Sequence, residues 1–244
     1  MAKAILGGFF STPEARFWNW FSRKSGEIGA WYDANYFKLA KLHPEELVWE
    51  KAIRARLAAV RRGVTCEIGG KLDGRRKLTL SADGDVALFP AVQRIFDAAP
   101  PLQGWRFAAF RAREPLPAGF TWGEIELPAS EMFFSLARNE PLSPAQSEAQ
   151  NLRQPPAPPS AIDVALFIPN LRELDNDAAS GACRALLEHI LGEYDSAMHL
   201  GAVRLRTPPR SPADSGLLPL ARLAAEFDKA KARASATRPS ETAR

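Results

Sequence analysis

Glu124 and Glu126 are the residues whose type and spacing come nearest to chemistry. Carboxylates two positions apart on an extended strand project from one face, here beside Trp122. Such a pair can split its pKa values for acid–base work or hold a cation between its oxygens. Arg111, at the end of an upstream apolar run, is placed to receive an anion. The same residues also describe the wet face of an antiparallel strand with a rim arginine. Glu193 and Asp195 form a second pair just after a helix end.

The segment Phe17-Trp18-Asn19-Trp20-Phe21 sets four aromatics in five positions. On a helix they cannot all face one core, so at least one, Trp20, is expected to point elsewhere, onto a partner or another element. The competing reading buries it, because tryptophan is usually largely covered.

Other chemistries leave weaker traces. Gly70-Lys71 follows a strand, but Thr65 and Leu72 occupy positions where a phosphate-binding loop needs Gly and Ser or Thr. No Gly-x-Gly-x-x-Gly or Gly-x-Ser-x-Gly motif is present. His43, Cys66, Cys183, His189 and His199 lack close metal-ligand spacing. Cys66 lies beside Glu67, which works against a thiolate, and Cys183 falls on an apolar helix stripe. No motif fixes a reaction.

The elements that must position these residues follow from periodicity. Ser11-Thr12-Pro13-Glu14 starts a helix bearing Phe17, Phe21, Ile28 and Trp31, with a break expected at Gly26 and Gly29. A second helix carries Trp49, Ile53, Leu57 and Val60. The period then turns to alternation over 65–69 and 77–82, joined through Asp73-Gly74. After a helix with Phe89, Val92, Ile95 and Phe96, residues 105–112 are apolar on both faces, which predicts a strand in the middle of a sheet. Residues 120–127 and 131–137 read as two more strands. Six prolines punctuate 139–160, an exposed loop or linker. Residues 161–168 resume as a strong strand. Asn176 is placed to cap a helix with Ala179, Cys183, Leu186, Leu187 and Leu191 on its buried side, ended by Gly192. A last strand at 197–206 and a helix with Leu220, Leu223 and Phe227 close the pattern.

Composition bounds the rest. The 244 residues are 46% hydrophobic and 25% charged, enough apolar material for a core. Two cysteines in a chain of this size point to a reducing compartment. The pI of about 9.2 traces to 229–244, which holds five of the 32 basic residues and one of the 28 acidic ones; the body keeps 27 of each. A neutral body gives no support for nucleic-acid binding, and the tail reads as frayed or disordered. The first ten residues lack the features of a cleaved leader. No window approaches the roughly 18 apolar residues of a membrane span.

FWNWF at 17–21, SADGDVALFP at 81–90, AAPPLQGWRFAAFRAR at 98–113 and LLEHILGEYD at 186–195 together resemble an uncharacterised family of bacterial cytosolic proteins. The shared blocks are an aromatic helix, a strand ending in Ser-Ala-x-Gly and a Trp-led strand. The resemblance spans most of the chain outside the Pro-rich stretch and the tail. It implies a bacterial cytosolic origin and a common fold, and it assigns no catalytic residue.

The sequence thus predicts one α+β domain over 1–228, with a single mixed, mainly antiparallel sheet flanked by helices, and a basic tail over 229–244. The expected function is a non-catalytic cytosolic binding or protein-interaction module, using Trp20 and the Trp122/Glu124/Glu126 face. The alternative is a hydrolase-type enzyme combining that carboxylate pair with Arg111. A protein partner is expected; no cofactor, metal, nucleic acid or membrane is indicated.

Overall fold

In the computed structural model, which describes residues 11–137 and 161–236, the Thr12 hydroxyl accepts the Ala15 N–H at 3.1 Å and opens α1 (Pro13–Asn35). The helix runs through Gly26 and Gly29 without the expected break. Two glycines cost about 1 kcal/mol each in a helix, whereas Ile28 and Tyr32 are buried between and beyond them. Burial outweighs propensity here. Among the described residues there are five helices and three sheets, and four of the six strand pairings are antiparallel, so the chain is α+β. The chain divides into two compact units, the first ending at Arg111 and the second starting at Ala112.

In the first unit, α1 and α2 (Val48–Val60) precede β1 (Thr65–Leu72) and β2 (Arg75–Ser81). The β1–β2 hairpin turns at Asp73-Gly74, both with positive φ, as an Asp-Gly pair favours. Then α3 (Phe89–Asp97) carries the chain to β3 (Trp105–Ala109), parallel to β2. Among the described residues the strand order is β1-β2-β3, which corrects the reading of β3 as a central strand. Its Trp105/Phe107 face is covered by α1, and no further strand lies beside it among the described residues. Trp105 and Phe107 meet the rings of Trp18 and Phe21 on α1 at 4.6–5.8 Å, and Trp18 donates its indole N–H to the Ile95 carbonyl at 2.6 Å. Apolar character reports burial, not sheet position.

The second unit holds a small hairpin, β4 (Phe120–Trp122) and β5 (Ile125–Leu127), and a four-stranded sheet ordered β8-β7-β6-β9. Its strands are β6 (Phe133–Ala137), β7 (Ile162–Phe167), β8 (Leu200–Arg206) and β9 (Leu218–Pro219). The expected single sheet is therefore three, although β7 does pair with a strand preceding the Pro-rich stretch, β6. The core joins Phe134, Val164 and Leu166 to Leu186, Leu187 and Leu191 of α4 (Asn176–His199) and to Leu223 and Phe227 of α5 (Leu223–Ala236). Asp175, not Asn176, caps α4 through Ala178 N–H at 2.9 Å.

Each unit contains the same local topology. An antiparallel pair is followed by a helix and a third strand parallel to the second, β1-β2-α3-β3 in one unit and β6-β7-α4-β8 in the other. The sequences show no repeat at a fixed period, because the two versions differ in loop length and helix length.

Helix α5 extends to Ala236, so the basic stretch starts inside a helix rather than a frayed tail. Its Ala-rich composition favours helix, and Lys231 bonds Asp195 at 2.7 Å. The Pro-rich loop at 139–160 and the end of the tail lie outside the described residues.

Candidate functional site

Trp20 is the one ring of the aromatic cluster that does not join the core. Phe17, Trp18 and Phe21 are buried, while Trp20 is half-buried with the Arg56 guanidinium of α2 4.3 Å from its ring centroid. The surplus aromatic therefore makes an inter-element cation–π contact within the first unit.

Arg111 follows β3 and is engaged where β2 and β3 end. Its Nη1 donates to Glu67 Oε1 and Asp83 Oδ1, both at 2.9 Å. The Thr65 hydroxyl bonds the other Asp83 oxygen at 3.1 Å, and the Asp83 N–H donates to the buried Ser81 hydroxyl at 3.0 Å. Asp83 sits at φ +49 and Phe110, just before Arg111, at φ +66, a conformation rare for a bulky residue. Burial raises the Asp83 pKa, but the bonds from Arg111 and Thr65 outweigh it and hold the carboxyl below its usual value. An incoming anion would have to displace Glu67 or Asp83 from Arg111.

Trp122, Glu124 and Glu126 belong to the second unit, and they do not share one strand face. Residues 120–127 form a hairpin rather than a strand, with the two-residue turn Gly123-Glu124 between β4 and β5. Gly123 has φ +58, and glycine at the first turn position suits the type II′ geometry that continues strand twist. The register pairs Phe120 with Leu127, Thr121 with Glu126 and Trp122 with Ile125. Opposite partners share a face, so Phe120, Trp122, Ile125 and Leu127 lie on one side and Glu126 with Thr121 on the other. Glu124 stands in the turn. The two-residue spacing that suggested a carboxylate pair is interrupted by a tight turn, so the pair required for acid–base work is not assembled on a strand face.

The apolar side of this hairpin docks on the core: Leu127 is fully buried, and Phe120 and Ile125 are partly so. Trp122 continues that side outward and remains 55% exposed. It reaches α4 where Gly181 leaves room: a β-carbon there would stand 3.9 Å from the indole nitrogen.

The remaining sequence candidates are structural. Lys71 pairs with Asp33 at 2.6 Å, and Tyr36 packs against the bulge at Gly70. Burial pushes the thiols of Cys66 and Cys183 up to about 12, far from a thiolate at neutral pH. His189 meets the Pro115 carbonyl at 3.0 Å. Among the described residues no three His, Cys, Asp or Glu side chains are grouped to share a metal ion.

Arg113 is the residue that sequence reading missed. Its guanidinium bonds both oxygens of Asp228 at 2.7 and 2.8 Å and also Asp195, while Lys231 bonds Asp195. Glu193, the other member of the second carboxylate pair, is fully buried. Nothing local marks Arg113, because its partners lie 82 and 115 residues away.

The chain matches no family model, no curated protein and no solved structure at a significant level. Among the described residues, no helix is long and apolar enough to cross a membrane.

Proposed function

We propose that this chain is a cytosolic protein-interaction module of the bacterial group it resembles, with the Trp122 hairpin as its contact surface. The single observation that carries this reading is the exposure of Trp122 on a face whose other members are covered, Leu127 in the core and Phe120 and Ile125 packed against it. A rigid hairpin tip presents the ring at low entropic cost, and tryptophan is prominent among residues that dominate interfaces. Covering the exposed part, on the order of 100 Å², is worth about 2–3 kcal/mol at roughly 25 cal/mol per Å². Glu124 in the adjacent turn and Glu126 on the reverse side give the tip an acidic border, which favours a partner with basic residues at its rim. Two free, buried cysteines support a reducing compartment.

The test is affinity capture from the native host with the unsubstituted chain and with Trp122→Ala, at matched folded concentrations. A partner retained by the first and lost by the second is the expected result. Identical captured sets from the two proteins would overturn the reading.

A further inference from the structure

We infer that the open edge of β3 in the first unit is a docking site for an extended segment of another protein that carries a carboxylate. This site is separate from the Trp122 hairpin and does not rest on that reading.

The main-chain geometry comes first. Among the described residues β3 has a strand neighbour on one side only, β2. Phe110 N–H donates to the Leu80 carbonyl and Arg76 N–H to the Gly104 carbonyl, both at 2.8 Å. In a parallel ladder one residue directs its N–H and C=O to the same side, and the side alternates along the strand. Arg106 and Ala108 therefore face β2, and Trp105, Phe107 and Ala109 face outward. Trp105 N–H bonds the Leu102 carbonyl at 3.1 Å, whereas the main-chain groups of Phe107 and Ala109 have no hydrogen-bond partner among the described residues. Two consecutive outward residues with free donors and acceptors are what an added strand requires.

The side chains along this edge do little to prevent pairing. Natural edges carry prolines, bulges or several charges as protection. Trp105-Arg106-Phe107-Ala108-Ala109 has a single charge and pairs with β2 in unbroken register. A groove of about 470 Å³ adjoins the strand, walled by Phe96, Pro100, Pro101 and Leu102. It offers apolar cover to alternate side chains of an incoming strand.

Arg106 selects the charge. It lines the same groove, its guanidinium has no ion-pair partner among the described residues, and its Nε is buried without an acceptor. A guanidinium without a counter-charge favours an acidic occupant, and a carboxylate from it would pair with the Arg106 head group through a charge-assisted bond. Asp97, which also lines the groove, disfavours a second acid there. A second copy of this chain fits less well. Symmetric antiparallel pairing through the free groups sets Phe107 against Ala109 and Arg106 against Phe110, which leaves the guanidinium without a carboxylate.

The experiment uses the full chain, isotope-labelled, and two capped seven-residue peptides of alternating Val and Thr, one with a central Glu and one with a central Lys. In the free protein the Phe107 and Ala109 amides are expected to exchange rapidly, unlike those of Arg106 and Ala108. The Glu peptide should protect both amides and bind at least about tenfold more tightly than the Lys peptide, a difference of about 1.4 kcal/mol. Arg106→Glu should reverse the preference. The peptide comparison on the unsubstituted chain needs no variant, so it stands even if that variant fails to fold. Phe107 and Ala109 amides already protected in the free chain, equal affinity for both peptides, or binding of neither would overturn the inference. Protection that disappears on dilution would assign the edge to a second copy and overturn it equally.

Discussion

Arg113 and Leu191 are joined side chain to main chain: Nε donates to the Leu191 carbonyl at 3.0 Å, one residue before the chain leaves helical geometry at Gly192, φ 77 and ψ 160. The last orphan carbonyls of a helix need acceptable donors, and here one comes from the segment after β3. The same guanidinium then binds Asp195 beyond the kink and Asp228 on α5. One side chain ties both halves of α4 to the C-terminal helix. Arg113→Ala is expected to destabilise the protein by about 2–3 kcal/mol, since charged, partly buried hydrogen bonds are lost together. Arg222→Ala, which removes a surface pair with Glu226, should change stability by less than about 0.5 kcal/mol. Urea unfolding midpoints of the two variants check both values.

The same network fixes an acid limb. The Arg113 bond, outweighing partial burial, holds Asp228 down to about 2, and bonds from Lys231 and Arg113 overcome burial to lower Asp195. A carboxyl whose folded pKa lies below its unfolded value of about 3.9 contributes fully above that pH and loses the contribution as pH falls through its folded value. Stability should therefore drop between about pH 4 and pH 2, and Asp228→Asn should flatten this part of the curve. Urea midpoints followed across that range give the measurement; an unchanged acid slope in the variant would contradict the assignment.

In the second unit, Asp163 sits at a register shift between β7 and β8, where it accepts Ala202 N–H at 2.8 Å and pairs with buried Arg204 at 3.2 Å. Removing one partner of a buried pair is far costlier than the pair is worth, so Asp163→Ala should cost about 3–5 kcal/mol. Gly201 makes room for this carboxylate: a β-carbon there would overlap Asp163 Oδ1 and crowd Ala161. Gly201→Ala is expected to cost about 1–3 kcal/mol by overpacking, read as a lowered thermal midpoint.

Trp20 and Trp122 should separate cleanly in mutagenesis. A double-mutant cycle of Trp20→Ala with Arg56→Ala should return a coupling of about 0.5–1 kcal/mol for a partly exposed cation–π pair. Trp122→Ala should cost about 2 kcal/mol, since the buried half of the ring is lost from its contact with the core. A null coupling for Trp20 would return that ring to the list of contact surfaces.

The sequence by itself determined the features that depend on neighbours in the chain. Thr12-Pro13 starts α1, Asp73-Gly74 turns β1 into β2, the apolar run 162–167 becomes β7, and the stripe from Ala179 to Leu191 becomes the buried side of α4. Caps, turn chemistry and periodicity are local, so they survive in any fold built from these elements. Only the tertiary structure decided that β3 lies at an edge among the described residues, that 120–127 doubles back at Gly123, that α1 continues through two glycines, and that Arg113 ties α4 to α5. The physical reason is the same in each case. A hydrophobic pattern states how much of a segment must leave water, but the partner that excludes the water, or answers the charge, is chosen by contacts between residues far apart in sequence.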